Sequence, residues 1–222
     1  MHIPIAQPSL GDEEKNAVLA VLASGMIAQG PVTAAFEEEF ATYCGVPHAV
    51  ATSNGTTALH AALLAAGVGP GDEVIVPAFS FFATASSVSM CGARPVFSDI
   101  DPATATIDPD DLFAKVTPKT KAVIGVHLYG QPCDIAAVKK ICESGDLVFI
   151  EDAAQAHGAT YQRRKTGNLG DMGCFSFYAT KNMATGEGGM VTTGSDEYDA
   201  RLRRVINHGQ SEKYLHTELG YN

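Results

Sequence analysis

The sequence predicts an α/β protein, a three-layer α/β/α sandwich with a mostly parallel sheet. Continuous apolar runs rich in β-branched residues alternate with helical patterns along most of the 222 residues, as expected for strands covered on both faces. The 45% share of apolar residues, with 18% charged, is that of a globular protein. We therefore interpret residues 1–222 as one large domain that begins with a helical segment.

The predicted elements follow one another in a regular order. Two amphipathic patterns near the start end at Gly25 and Gly45, which suit C-terminal helix caps. The predicted helices are "DEEKNAVLAVLASG", "TAAFEEEFATYCG", "TTALHAALLAAG", "FFATASSVSMCG", "DIAAVKKICESG" and "SDEYDARLRRVINHG", the last with Ser195 as its N-cap. The predicted strands are "EVIVP", "RPVFSDI", "KAVIGVHLYG", "LVFIEDAA", "GCFSFYA" and "GGMVTTG". We interpret "DIDPATATIDPDD" as a turn-rich surface connection outside the core.

Charge, cysteine content and the first residues argue against several classes of protein. The net charge of −10 opposes nucleic-acid binding, because neutralising phosphates needs a basic face. The five cysteines form no CxxC pair and no His/Cys ladder, so we predict reduced thiols and no metal site. "MHIPIAQPSLGDEEK" has neither the basic nor the apolar region of a leader peptide, and no apolar run approaches a membrane span. We predict a cytoplasmic protein without a membrane partner.

A candidate anion site lies in "TSNGTTALHAAL", where small polar residues and a glycine immediately precede an apolar helix. Backbone N–H groups at such a helix start, together with the hydroxyls of Thr56 and Thr57, suit a phosphate. An ordinary helix cap explains the same pattern, so this segment alone does not decide between the two.

A second candidate is "LVFIEDAAQAHG", because Asp152 lies where a buried strand ends and ligands of parallel sheets bind at that edge. Asp152 would otherwise cap a following helix. Gln155 lies three residues further on, and a helical turn would place it on the same side. His157 is either a base or, more in keeping with histidines in general, a hydrogen-bonded structural residue, and we assign it no chemical role.

The third candidate is Lys181, which stands between an aromatic run and a glycine cluster in "SFYATKNMATGEGGM". Phe79, Phe81 and Phe82 follow another strand, and we expect two of them in the core and one ring free to stack on a flat ligand. A phosphate would use the helix start, and a flat ring would use a phenylalanine. A basic ring nitrogen would use Asp152, and an aldehyde would use Lys181. Pyridoxal 5'-phosphate (PLP) carries all four groups.

Several motifs resemble the DegT/DnrJ/EryC1/StrS family of sugar aminotransferases, whose members have the fold-type-I architecture of aspartate aminotransferase. They are "SNGTTAL", "PAFSFFAT", "EDAAQAHGA", "GCFSFYATKN", "GEGGMVTT" and "LGYN", and the resemblance runs from "IPIAQPSLG" to the last residue. It implies that Lys181 is the Schiff-base lysine and that Asp152 pairs with the pyridine nitrogen. Gln155 would approach the ring's phenolic oxygen, and Phe81 would stack on the ring.

The resemblance also implies that Thr56, Thr57 and Ser176 hold the cofactor phosphate. Asn222 matches an asparagine that reaches the phosphate of the neighbouring subunit, so a homodimer with shared active sites is expected. Family members continue past "GYN" with an arginine-containing stretch and a smaller C-terminal domain. That small domain is absent from this sequence, so we expect either a fragment or a protein that lacks it.

The implied activity is transamination from an amino acid, glutamate in the family, to a keto-sugar, usually nucleotide-linked, with pyridoxamine phosphate as the intermediate cofactor form. One alternative is a sugar dehydratase of the same family, but the resembling dehydratases carry histidine where Lys181 stands. Another alternative is a cofactor-binding regulatory protein without turnover.

Overall fold

The computed structural model describes residues 6–222. Residues 1–5, with which the family resemblance and the argument against a leader peptide begin, lie outside the described residues. The helices are α1 (Asp12–Ser24), α2 (Pro31–Cys44), α3 (Gly55–Ala65), α4 (Ala83–Met90), α5 (Pro109–Lys115), α6 (Ile135–Gly145) and α7 (Asp196–Val205).

Most strands belong to one large sheet, and the others form short two-stranded pairs. The sheet strands are β1 (His48–Thr52), β2 (Glu73–Pro77), β3 (Arg94–Ser98), β6 (Thr120–Val126), β7 (Val148–Asp152), β10 (Met172–Ser176) and β11 (Gly189–Thr193). The paired short strands are β4 (Ile100–Asp101) with β5 (Thr106–Ile107), β8 (Thr160–Tyr161) with β9 (Arg164–Lys165), and β12 (Gln210–Glu212) with β13 (Leu215–His216).

The large sheet has the order β1-β11-β10-β7-β6-β2-β3. The pairs β10–β7, β7–β6, β6–β2 and β2–β3 are parallel, whereas β11 is antiparallel to both of its neighbours. Gly189, at the start of β11, pairs with Thr52 of β1 on one side and with Ser176 of β10 on the other. The predicted mostly parallel sheet is therefore confirmed, with β11 as its exception.

Helices cover both faces of the sheet, which confirms the three-layer sandwich. One apolar cluster joins alternate strand residues, such as Val76 and Ile150, to α3, α4 and α7. Two further clusters join residues of the opposite face, such as Phe149 and Phe175, to α5, α6 and α2. Successive side chains of a strand point to opposite faces of the sheet, so a single strand contributes residues to clusters on both faces. Helix α1 has no buried residue.

The predicted helix ends are confirmed at three positions. Gly25 and Gly45 adopt left-handed φ angles of 73° and 80° at the ends of α1 and α2, as the cap requires. The Ser195 side chain accepts a hydrogen bond from the Tyr198 N–H and so caps α7. Within residues 6–222, no helix is both long and apolar enough to cross a membrane.

Two parts of the sequence prediction are wrong. Strand β1 was not predicted, because "HAVAT" is short and two of its five residues are alanine. The stretch "DIDPATATIDPDD" is not a plain surface connection, since it contains the β4–β5 pair and the start of α5. Ile107 and Leu112 of this region are fully buried beneath the sheet, so it contributes to the core.

Candidate active site

A cavity of about 780 Å³ lies at the edge of the sheet where the parallel strands end. The residues that follow β1, β2, β6, β7 and β10 contribute to its walls, in keeping with the position of ligands in open parallel sheets. Seven of the predicted site residues line it together, namely Thr56, Thr57, Phe81, Asp152, Gln155, Ser176 and Lys181. The eighth, Asn222, does not.

The start of α3 forms one end of this cavity. Asn54 is the N-cap, and its Oδ1 accepts the Thr57 N–H at 2.9 Å. The Thr57 hydroxyl in turn accepts from the Asn54 N–H and donates to the Asn54 carbonyl. The helix-cap alternative is therefore confirmed, with Thr57 as part of the cap. The anion site stays a prediction, for which the Gly55 and Thr56 N–H groups of the first helical turn are the candidate donors.

Gly55 brings this helix start directly against the end of β10. A Cβ atom at position 55 would lie 2.7 Å from the Ser176 Cβ, so no side chain fits there. Ser176 is buried, and its hydroxyl accepts a hydrogen bond from the Tyr178 N–H at 3.3 Å. The helix start and the Ser176 hydroxyl thus converge on one place that suits a phosphate.

Asp152, at the end of β7, is buried among these strands. Its Oδ2 accepts the Thr84 hydroxyl at 2.8 Å, and its Oδ1 accepts the Ala154 N–H at 3.3 Å. Burial raises the pKa of this carboxyl, against smaller lowering effects of these two donors and of the Lys181 charge. No helix begins after Asp152 before α7, so the helix-cap alternative is wrong.

Lys181 lies in the loop between β10 and β11 and is half-buried. Its N–H donates to the Tyr178 carbonyl at 2.8 Å, which holds the loop in a turn. Within the described part of the chain its ammonium group forms no salt bridge. Gln155 faces the same cavity from a turn, and its Oε1 accepts the Tyr129 N–H at 2.9 Å.

The expectation that two of the three phenylalanines after β2 are core residues is wrong. Phe79, Phe81 and Phe82 are all exposed, at 49%, 72% and 77%. Phe81 alone among them lines the cavity, in agreement with the ring predicted to stack on a flat ligand.

His157 packs as a structural residue, as predicted, but without the predicted hydrogen bond. Its ring lies 5.3 Å from the Phe175 ring and 5.6 Å from the Phe177 ring, between centroids. Neither ring nitrogen has a hydrogen-bond partner among residues 6–222. Burial lowers the pKa of His157 to about 4, although the Ser176 carbonyl has a weaker opposing effect. The ring is therefore neutral at pH 7 and poorly suited to act as a base.

Asn222 lines a separate groove of about 1210 Å³ beside α1 and α2. Thr57 and Glu187 line both this groove and the cavity, so the two are neighbours. The structure describes one chain, and the predicted contact of Asn222 with a neighbouring subunit stays a prediction.

Sequence reasoning assigned no part in the site to three residues that shape it. Asn54 caps α3, Thr84 donates to Asp152, and His127 lines the cavity wall. His127 is fully buried; the Cys133 N–H donates to its Nδ1, so its Nε2 carries the hydrogen and donates to Glu151. The sequence offered a signal only for Asn54, which stands immediately before the glycine that opens the helix.

The residues present fit a PLP-type cofactor. The helix start and Ser176 match a phosphate, and the Gly55 position has no room for anything but hydrogen. Asp152 is a buried carboxylate with few protein donors, which a protonated ring nitrogen would complete. Lys181 supplies the amine, and a volume of about 780 Å³ is within the usual range for cofactor sites.

Comparisons with known proteins agree with this assignment. The model of the DegT/DnrJ/EryC1/StrS aminotransferase family matches residues 8–222. GDP-perosamine synthase of Caulobacter vibrioides is 47% identical over 224 residues, which cover 100% of this chain and 60% of that protein.

Solved structures match the fold at somewhat lower sequence identity. S. venezuelae DesV in complex with a ketimine intermediate matches with a TM-score of 0.92 at 43% identity, over 95% of this chain and 57% of that one. The PLP form of Spr1654 from Streptococcus pneumoniae matches with a TM-score of 0.94 at 32% identity, over 100% and 62%. This chain thus spans less than two thirds of each of these proteins. It belongs to the DegT/DnrJ/EryC1/StrS aminotransferase family and has the predicted fold-type-I large domain.

Proposed function

We propose that the chain is the cofactor-binding part of a PLP-dependent aminotransferase. The reaction moves an amino group from an amino acid, glutamate by family resemblance, to a keto-sugar that is linked to a nucleotide. The observation that carries the proposal is that Lys181 and the buried Asp152 line one cavity together with the start of α3.

Each residue has a role that follows from its place. The cofactor, when bound, supplies an aldehyde for the amino group and a ring that accepts electrons. The Gly55 and Thr56 N–H groups and the Ser176 hydroxyl would hold its phosphate. Asp152 would hold a proton on the ring nitrogen, and Phe81 would stack on the ring. The Lys181 amine would move the proton from the substrate carbon to the cofactor carbon that receives the amino group.

Related proteins support a sugar as the acceptor. GDP-perosamine synthase is named for a nucleotide sugar, and its similarity covers the whole of this chain. A dehydratase is less consistent with the residues, because a lysine stands at position 181 where resembling dehydratases carry histidine. A cytoplasmic location stays a prediction.

We further propose that a second copy of the chain completes the site. Phe79 and Phe82 are exposed beside the cavity, and Asn222 lies in the neighbouring groove rather than in the cavity itself. A homodimer would cover the rings and bring Asn222 to the partner's phosphate. Sedimentation of the purified protein checks this, and a monomer at micromolar concentration would contradict it.

The lysine assignment is tested by trapping the cofactor. The protein is incubated with PLP, reduced with borohydride and digested, and the modified peptide is identified by mass. We expect the cofactor on Lys181 in the unchanged chain and in the control Lys140→Ala, which removes an exposed lysine. Lys181→Ala should carry no adduct. An adduct that persists in Lys181→Ala would refute the assignment.

Turnover is tested separately. Glutamate added to the reconstituted protein should release 2-oxoglutarate in the unchanged chain and in Lys140→Ala, but not in Lys181→Ala. Cofactor binding without release of 2-oxoglutarate would instead support the regulatory alternative.

A further inference from the structure

The turn after β6 contains an unusual backbone conformation. Tyr129, in the 3-10 turn Leu128–Gly130, has φ 53° and ψ 24°. This left-handed region is uncommon for residues other than glycine and asparagine. The Tyr129 side chain is 78% exposed, and it packs against no other aromatic ring of the described residues. Packing of its side chain therefore does not explain the conformation.

The backbone of Tyr129 does make a specific contact. Its N–H donates to the Gln155 Oε1 at 2.9 Å. A glutamine amide has one oxygen and one NH2 group, so a donor that engages the oxygen fixes which end the NH2 group faces. The Gln155 side chain makes no other hydrogen bond within residues 6–222, and Gln155 lines the cavity.

We propose that the left-handed turn at Tyr129 is a positioning device that locks the Gln155 amide with its Nε2 donor toward the cofactor cavity. The identity of the group that receives this donor rests on the proposed function, but the lock itself does not. Asp152 and Gln155 then present an acceptor and a donor three residues apart on one turn. A flat ring that offers a protonated nitrogen and an anionic oxygen matches that pair.

The chemical consequence concerns the ring oxygen of the cofactor. A fixed N–H donor favours this oxygen as an anion, because it donates more strongly to an anionic oxygen than to a neutral hydroxyl. With its oxygen already engaged by Tyr129, the Gln155 amide offers no acceptor to the hydroxyl form. A freely rotating Gln155 amide could present its oxygen or its NH2 group and so allow both the hydroxyl and the anionic form of the ring oxygen. The hydrogen bond from Tyr129 prevents that rotation.

The lock is tested first without cofactor, by following hydrogen exchange of the Tyr129 amide with NMR. Gln155→Ala should speed this exchange about tenfold, because the acceptor of the N–H is lost. Gln155→Glu keeps an acceptor and should leave the exchange slow. The matched control is Gln131→Ala, an exposed neighbour whose side chain bonds only to the Pro132 carbonyl. Equal exchange in Gln155→Ala and the unchanged chain would overturn the proposal.

The second test uses the protein with bound PLP and follows its visible absorption band against pH. A donor to the ring oxygen weakens the hold of that oxygen on the neighbouring imine proton, so losing the donor should raise the pH midpoint by about one unit. We expect this rise in Gln155→Glu and in Tyr129→Val, whose β-branched side chain disfavours the left-handed turn. Tyr129→Gly adopts that turn easily and should keep the original midpoint.

The two tests separate this inference from the proposed function. If no band forms in the unchanged chain, the proposed function fails, and the exchange measurement alone decides the lock. If the band forms but its midpoint is the same in Gln155→Glu, the donor orientation is wrong. Should Tyr129→Val fail to fold, the pair Gln155→Glu and Tyr129→Gly still gives opposite expectations.

Discussion

Two adjacent carboxylates at the end of β7 have opposite surroundings. Glu151 and Asp152 are both buried, but they point to opposite faces of the sheet. Glu151 accepts hydrogen bonds from the N–H groups of Gly167, Leu169 and Gly170 and from the His127 ring. Among residues 6–222, Asp152 accepts only from Thr84 and Ala154. The described residues thus supply four donors to the Glu151 carboxylate and two to the Asp152 carboxylate.

The number of hydrogen-bond donors differs between the two carboxylates: Glu151 is satisfied within the fold, whereas Asp152 has room for a further donor. Four donors make burial of the Glu151 carboxylate tolerable, since buried charge is costly unless it is well hydrogen-bonded. Asp152 has fewer donors, and burial accordingly raises its pKa. A protonated ring nitrogen in the cavity would supply what Asp152 lacks. The number of donors thus distinguishes the two buried acids and agrees with the ligand-binding role proposed for Asp152.

The largest expected effect is that of Glu151→Gln. All four neighbours of this carboxylate are donors, so an amide NH2 would face donors and leave at least one group unsatisfied. We expect a loss of about 3 kcal/mol in the free energy of unfolding, measured by urea denaturation. Glu38→Gln, at an exposed position of α2, is the control and should change it by less than about 0.5 kcal/mol. An equal change in the free energy of unfolding for both variants would contradict the structural role assigned to Glu151.

Asp152→Asn should act in the opposite direction on the cofactor-free protein. Burial raises the pKa of Asp152 in the folded protein above its usual 3.8. The charged carboxylate therefore destabilises the fold as pH rises past 3.8, and the uncharged asparagine side chain avoids this loss of stability. We expect a gain of about 1 to 2 kcal/mol at pH 7 that disappears below pH 3.8. Cofactor affinity should fall at least about tenfold. A loss of stability at pH 7 would show that Asp152 is structural.

The smallest effect is expected for His157→Phe, which tests whether a buried polar group without partners always indicates function. His157 has a folded pKa of about 4 against the usual 6.5, so it stays neutral and its stability contribution is lost as pH falls from 6.5 through 4. Phenylalanine should raise stability by about 1 kcal/mol and flatten that pH dependence. Reduced cofactor affinity with unchanged stability would instead give His157 a role in the site.

The sequence predicted the sheet and most of the site because local patterns determine them. Lys181 and Asp152 stand beside strands whose apolar runs are unmistakable, and the strand ends of a parallel sheet share one edge. The role of Glu151 was not predicted, because three of its donors come from a loop 16 to 19 residues later along the chain and the fourth, His127, lies 24 residues earlier. Nothing in "IEDAA" tells which of the two acids will be enclosed.

Other differences have a different physical origin. Two of the three phenylalanines after β2 were expected in the core because large aromatic rings are usually buried, yet Phe79 and Phe82 are exposed as well as Phe81. Burial statistics describe average rings and carry no information on the place of these two beside the cavity. Strand β1 was missed because alanines weaken the signal, although its pairing with β11 is regular over five residues.

The alignment of Gly189 with Thr52 and Ser176 has a consequence for biosynthesis. The place suited to the phosphate needs the helix start after β1 and the end of β10, and β11 lies between those two strands. β11 is the last strand of the sheet to leave the ribosome, well over a hundred residues after β1. In the proposed function, a nascent chain would lack a complete phosphate site until β11 has been translated and inserted, and coenzyme binding would follow that step.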